Sequence, residues 1–82
     1  MFESKIVEKY LNKCIYGTVI SYIDSYGWLK VKIFDVLGEH IYTYNPLEYI
    51  NSEMELATKI ILDYTSNIVS RFINTSNLRI KD

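Results

Sequence analysis

The stretch WLKVKIF, residues 28–34, decides the fold, because its aliphatic residues alternate regularly with the others. Successive side chains of a β-strand point to opposite faces of the sheet. Two faces result, with Leu29, Val31 and Ile33 on one and Trp28, Lys30, Lys32 and Phe34 on the other. The pattern predicts a half-buried strand whose aliphatic side faces a core.

Two further strands flank this one. Residues 15–23 are rich in β-branched and aromatic residues, and residues 40–44 form a third short strand after a loop around residues 37–39. Asp24-Ser25-Tyr26-Gly27 is a turn signal between the first two strands. Short connections between consecutive strands imply an antiparallel meander.

A helix precedes the strands and ends near Cys14. Its apolar residues follow helical spacing, with one i, i+4 row and two neighbours: Phe2, Ile6, Tyr10 and Cys14, then Val7 and Leu11. This row is predicted to face the core, with Cys14 as a small buried hydrophobic residue.

A second helix follows the strands. Asn45-Pro46-Leu47-Glu48 has the capping residue and the early proline of a helix start, and Ser52 with Glu55 forms another. We expect a short helical turn and then a long helix over residues 53–73, with a kink possible at residues 65–67. Its predicted buried stripe is Ala57, Ile60, Ile61, Tyr64, Ile68 and Phe72. Residues 75–82 are expected to be a loose tail, with an edge strand at Leu78 and Ile80 as the alternative.

The chain is therefore predicted to be one α+β domain, residues 1–82, with the order α-β-β-β-α. Ten acidic and nine basic residues give no general attraction to nucleic acid or to an anionic membrane. One cysteine allows no internal disulfide, and no run of 18 apolar residues occurs. The expected location is the cytoplasm of a bacterial host.

Catalytic and metal-binding patterns are weak. His40 is the only histidine and Cys14 the only thiol, which is too few ligands for a zinc site. His40 is interpreted as an ordinary strand-edge residue, and Glu53 and Glu55 as acids stabilised at a helix N-terminus. The three glycines form no phosphate-binding loop. We expect neither an enzyme nor a bound cofactor or metal.

The aromatic content points to binding instead. Eight tyrosines and one tryptophan fall mainly in the sheet or its turns. Tyr42 and Tyr44 are expected to join the face that carries Trp28, and Tyr22 joins it in one of the two parities that the first strand allows. An acidic patch at the second helix is a further contact surface. The predicted partner-binding residues are Tyr22, Trp28, Lys30, Lys32, Phe34, Tyr42, Tyr44, Glu48, Glu53 and Glu55. The alternative is that the second helix covers the aromatic face.

Three families share features with the chain. Its element order is that of double-stranded-RNA-binding domains, but Ser52-Glu53-Met54-Glu55 stands where that family has lysines, so this mode of RNA binding is not expected. The turns at residues 24–27 and 35–38 and Glu55-Leu56-Ala57 resemble HicB-type antitoxins with a partial RNase-H-like fold. Small size, topology and a composition typical of AT-rich genomes resemble phage anti-CRISPR inhibitors.

The last resemblance implies a non-catalytic inhibitor from a phage or mobile element that binds a host protein or ribonucleoprotein complex. Two alternatives remain open at this point. One is a small nucleic-acid-binding module that uses the aromatic and basic sheet face. The other is a structural subunit that completes its core as a homodimer.

Overall fold

The computed structural model describes the backbone of residues 1–81 and the side chains of residues 1–73. Two helices and three strands follow in the predicted α-β-β-β-α order. Helix α1 spans Ser4–Cys14, and the strands are β1 Thr18–Ile23, β2 Leu29–Asp35 and β3 Gly38–Tyr44. A 3₁₀ turn, Pro46–Tyr49, leads into helix α2, Glu53–Lys81. The predicted fold class is confirmed.

The strands form one antiparallel sheet in the order β1-β2-β3. Ile33 of β2 lies opposite Val19 of β1 and His40 of β3. Residues directly opposite each other share a face. The inner face consequently carries Val19, Ser21, Ile23, Leu29, Val31, Ile33, His40, Tyr42 and Tyr44. The outer face carries Ile20, Tyr22, Lys30, Lys32, Phe34, Glu39, Ile41 and Thr43.

The core lies between the inner face and both helices. Its buried apolar residues are Val7, Leu11, Ile15, Val19, Leu29, Val31, Ile33, Leu56, Ala57 and Ile60. Each large aliphatic side chain buried in this way contributes about 1.5–3 kcal/mol relative to exposure. The alternation of β2 thus predicted the inner face of that strand correctly.

The predicted buried row of α1 is wrong in part. Val7 and Leu11 are fully buried, and Ile15 continues their row just after the helix. Ile6 is 42% exposed, and Cys14 is exposed rather than buried. The backbone carbonyl of Ser4 and the carboxylate of Glu8, on the same side of the helix, both accept hydrogen bonds from the buried Ser21 of β1, and these bonds hold the row through Val7 toward the core.

Helix α1 also closes the free edge of β1. The Asn12 side chain accepts a hydrogen bond from the Val19 N–H (2.8 Å) and donates one to the Val19 carbonyl (2.9 Å). Glu8 Oε1 accepts from the Ser21 N–H at 2.6 Å. Burial would raise the pKa of Glu8, but this bond from Ser21, with Lys5 nearby, lowers it below its usual value. Side chains of α1 therefore take the place of a fourth strand beside β1.

Helix α2 is longer than predicted and its buried stripe is shorter. Leu56, Ala57 and Ile60 are fully buried, whereas Phe72 is 74% exposed. Ile61, Tyr64 and Ile68 are partly buried. The helix continues through residues 65–67 and on to Lys81, so Leu78 and Ile80 form no edge strand. The packing of the tail side chains lies outside the described residues.

The course of α2 over the sheet follows from three hydrogen bonds. Tyr44, at one end of β3, donates to Asp63 at 2.8 Å, and Tyr64 donates to Asp35, beside the other end. Asn67 then donates to the hydroxyl of Tyr42, in the middle of β3. Because neighbouring residues of α2 reach opposite ends of β3, the helix crosses this strand instead of following it. The start of α2 is bonded to the start of α1 through Glu3 and Glu53, and α1 packs against β1, so α2 runs from the β1 side to the β3 side.

Candidate partner-binding surface

The outer face of the sheet is a mixed aromatic, aliphatic and charged surface. Both helices contribute their buried residues to the opposite side. Five large apolar side chains on or beside the outer face are between 37% and 56% exposed: Ile20, Tyr22, Trp28, Phe34 and Ile41. The alternative that the second helix covers this face is wrong. We call these five residues, together with Lys30, Lys32, Glu39 and Thr43, the outer surface.

The lysines of the outer surface are held within the sheet. Lys30 Nζ donates to Thr43 Oγ1 at 2.9 Å. Lys32 Nζ lies 3.7 Å from Glu39 Oε1 and 5.8 Å from the centre of the Tyr22 ring. Both lysine side chains are only partly exposed. Their ammonium groups thus lie among aromatic and polar neighbours, and their aliphatic side-chain carbons lie over β2, the central strand.

Tyr42 and Tyr44 lie on the inner face, so their predicted position beside Trp28 is wrong. Their partners across the ladder are Val31 and Leu29, which are both buried. The outer positions of β3 belong to Ile41 and Thr43. The tyrosine hydroxyls meet α2, where Asp63 accepts from Tyr44. Burial, followed by this bond to Asp63, raises the pKa of Tyr44 well above its usual range.

The predicted acidic patch is divided by the structure. Glu48 is exposed in the 3₁₀ turn, and Glu55 is exposed in the first turn of α2. Glu53 instead accepts a hydrogen bond from the backbone N–H of Glu3 at 3.1 Å, which ties the start of α2 to the start of α1. Two of the three carboxylates remain available on the surface.

A polar cluster that the sequence did not predict lies beneath β3. Asp35 Oδ1 is 3.0 Å from His40 Nε2, and Asp35 Oδ2 accepts from the Tyr64 hydroxyl. The side chains of His40 and Asp35 are 2% and 6% exposed. Tyr64 and His40 also make an edge-to-face contact, with ring centres 5.5 Å apart. His40 is therefore buried and paired with Asp35, whereas the sequence predicted an ordinary strand-edge residue.

The cluster has a clear electrostatic effect. The hydrogen bond from Tyr64 is the largest influence on Asp35; together with His40 and the Leu37 N–H it outweighs burial and lowers the Asp35 pKa to about 2. Burial, followed by the bond to Asp35, raises the pKa of Tyr64 to about 12. The pair is thus held as carboxylate and phenol at neutral pH. These hydrogen bonds join the β2–β3 hairpin to helix α2.

Among the residues whose side chains the structure describes, no group of three or more histidine, cysteine or acidic side chains is arranged to hold a metal ion. Neither described helix has an apolar segment long enough to cross a membrane. An open apolar groove of about 380 Å³ is lined by Met1, Phe2, Ile23, Pro46, Leu47 and Ile50.

Comparisons of the chain with protein-family models, with curated proteins and with solved structures find no match.

Proposed function

We propose that the protein is a non-catalytic binding protein that engages another protein through the outer surface. The observation that carries the proposal is the exposure of Trp28, Tyr22 and Phe34 on a face that neither helix covers. Large exposed apolar side chains that are grouped on one face mark binding sites more often than singly scattered ones do. Tryptophan and tyrosine are also the residues that most often dominate interface energies.

The polar groups favour a protein partner over nucleic acid. Lys30 and Lys32 already bond to Thr43 and Glu39, and Glu39 adds a negative charge to the same surface. A phosphate backbone would have to displace these contacts and approach a carboxylate. A protein surface that offers both apolar groups and acidic side chains would satisfy the aromatic rings and the lysines together.

The more specific hypothesis is an inhibitor from a phage or mobile element that acts on a host defence complex in the bacterial cytoplasm. Its support is the small size of the chain, the exposed aromatic sheet face and the resemblance in topology and composition described above. Such an inhibitor needs only a surface that masks its target.

The test is affinity capture from a bacterial host lysate, with variants of the outer surface. Trp28→Ala and Phe34→Ala are each expected to weaken capture of a stoichiometric protein by about thirtyfold, because each removes a large aromatic contact. Tyr16→Ala is the matched control, since Tyr16 is 95% exposed and lies outside the outer surface. Nuclease treatment should leave the capture unchanged.

Two results would contradict the proposal. One is a partner that binds Trp28→Ala and Phe34→Ala as well as it binds the unaltered protein. The other is binding to single-stranded oligonucleotides with an affinity that falls steeply with salt, which would assign the face to nucleic acid.

A further inference from the structure

We propose that the free edge of β3 pairs with β3 of a second copy of this chain, forming a homodimer with one continuous sheet. The two edges of the sheet differ, because side chains of α1 bond to the backbone of β1, and within residues 1–73 no side chain bonds to the outward backbone groups of β3. A free edge offers unpaired N–H and C=O groups to any strand of suitable register.

The hydrogen-bonding pattern identifies which groups of β3 point outward. Asp24 N–H donates to the Trp28 carbonyl, so this pair is a hydrogen-bonded one, and bonded pairs alternate along an antiparallel ladder. Lys30, Lys32 and Phe34 consequently bond to β1, whereas Leu29, Val31 and Ile33 bond to β3. On β3, the backbone N–H and C=O groups of Tyr44, Tyr42 and His40 form these hydrogen bonds to β2. Those of Glu39, Ile41 and Thr43 therefore point away from the sheet.

Side chains of α1 bond to the outward backbone groups of β1, unlike those of β3. Asn12 and Glu8 occupy the outward backbone groups of Val19 and Ser21. Within residues 1–73, no corresponding side chain bonds to the backbone of Glu39, Ile41 or Thr43. Natural proteins usually protect exposed edge strands, and pairing with another strand is one way to do so.

The sequence of β3 is self-complementary about Ile41. With a two-fold axis at Ile41, each Ile41 faces its copy, and Glu39 faces the copy's Thr43. Thr43 accepts a hydrogen bond from Lys30, so Glu39 would lie beside an ammonium group of the other protomer. On the inner face, Gly38 would lie opposite Tyr44. The register thus pairs two β-branched residues, brings opposite charges together, and sets the smallest side chain against one of the largest.

Helix α2 supplies a second contact across the same axis. It crosses β3 by Asn67 and continues past that strand. Three side chains of the continuing segment are between 50% and 74% exposed: Val69, Phe72 and Ile73. Two copies joined at β3 would bring this segment of each helix over the other protomer, where these apolar side chains would be covered. Strand pairing alone is narrow, and this helix contact gives the interface apolar area.

The wild-type protein tests the proposal by sedimentation velocity and by amide hydrogen exchange over a range of concentrations. We expect a species of twice the chain mass, and amides of Glu39, Ile41 and Thr43 that become protected as it forms. A monomer at all concentrations up to several hundred micromolar would overturn the proposal. So would a dimer in which these amides exchange freely, because it would use another surface.

A matched pair of variants tests the register. Ile41→Lys places like charges opposite each other at the two-fold axis and is expected to weaken dimerisation about tenfold or more. Ile20→Lys is the control, since Ile20 and Ile41 flank Lys32 on the same face and are 44% and 56% exposed. It should dimerise as the wild type does. Equal weakening by both variants would overturn the proposed register.

A charge exchange adds a test by rescue. Glu39→Lys should weaken the dimer, and adding Lys30→Glu to the same chain should restore it, because each substituted lysine would again face an acid of the other protomer. Failure of the double variant to recover dimerisation, with its fold verified by circular dichroism, would count against the pairing. Protection of the β3 amides only on addition of a different protein would assign the edge to that partner and overturn the homodimer.

Discussion

Asp35 is the residue on which the hairpin and helix α2 meet. It is the last residue of β2 and lies opposite Gly38 across a two-residue turn. Its Oδ1 accepts from the Leu37 N–H at 2.8 Å inside that turn, and its Oδ2 accepts from Tyr64 of α2. One carboxylate thus fixes the β2–β3 turn, His40 and the helix in a single network, and removal of one member leaves the others unsatisfied.

Substitution of Asp35 by asparagine is expected to destabilise the protein by about 2 kcal/mol at pH 7, because hydrogen bonds to a charged group are lost. The pKa of Asp35 is about 2 in the folded protein and near its ordinary value of about 4 in the unfolded chain. Its contribution to stability is therefore fully present above about pH 4 and is lost as the pH falls toward 2. Urea unfolding at a series of pH values measures both effects.

The acid dependence provides the control for this prediction. Asp35→Asn should show a smaller loss of stability between pH 4 and pH 2 than the wild type, while Glu55→Gln, at an exposed position, should keep the wild-type slope. Identical slopes for wild type and Asp35→Asn would show that this network does not act as described.

Elements whose two sides differ strongly in polarity were predictable from sequence, and the others were not. In β2, aliphatic residues alternate with lysines, and this strand was assigned correctly. In β3, Ile41 and Tyr42 are both apolar, so composition does not distinguish its faces. The face is set by the length of the β2–β3 turn, since a two-residue turn places His40 opposite Ile33. A shift of one residue would exchange the two faces.

The helices follow the same rule. Apolar residues cover more of α1 than the core can bury, so the sequence allowed either the row through Ile6 or the row through Val7 to face the core. Polar contacts of Ser4 and Glu8 with Ser21 decided between them, and such contacts between distant residues leave no periodic signal. In α2 the stripe was predicted over six residues, but the sheet is only three strands wide. For the outer surface, the positions of Tyr22 and of the β2 residues were predicted correctly. The Asp35 cluster was not predicted.

The edge of β1 gives a prediction for an element as a whole. Asn12→Ala removes both hydrogen bonds to Val19 and should cost about 1–2 kcal/mol, because a partly buried N–H and carbonyl lose their partner. The Val19 amide should also exchange faster with solvent. Chemical denaturation and amide exchange provide the two measurements.

Two controls separate the effect of the edge from a general effect on α1. Lys13→Ala, at an exposed position one residue later, should change neither quantity. Asn12→Asp keeps an acceptor for the Val19 N–H but loses the donor, so it should fall between Asn12→Ala and wild type. Unchanged Val19 exchange in Asn12→Ala would indicate that the edge is protected in another way.

The sheet has three separate surfaces, each with its own role in the molecule. Its inner face holds the core, its outer surface is proposed to bind a partner, and its β3 edge is proposed to join a second copy. A β3-paired dimer would place two outer surfaces side by side on one sheet. A partner with a repeated or symmetric target could then be bound at two points, and the second contact would form at a high effective concentration.

The dimer leads to a prediction about stability. If folding and association are linked, the free energy of unfolding of the dimer rises by about 1.4 kcal/mol for each tenfold increase in protein concentration. The thermal midpoint of the wild type should accordingly increase with concentration over a hundredfold range. Ile20→Lys should show the same dependence, since its substitution lies at the β1 side of the outer surface. Ile41→Lys should show this dependence only at protein concentrations about tenfold or more above those of the wild type, because its dimer is weaker by that factor. Superimposable wild-type melting curves across that range would mean that the chain folds alone, with β3 as a free edge.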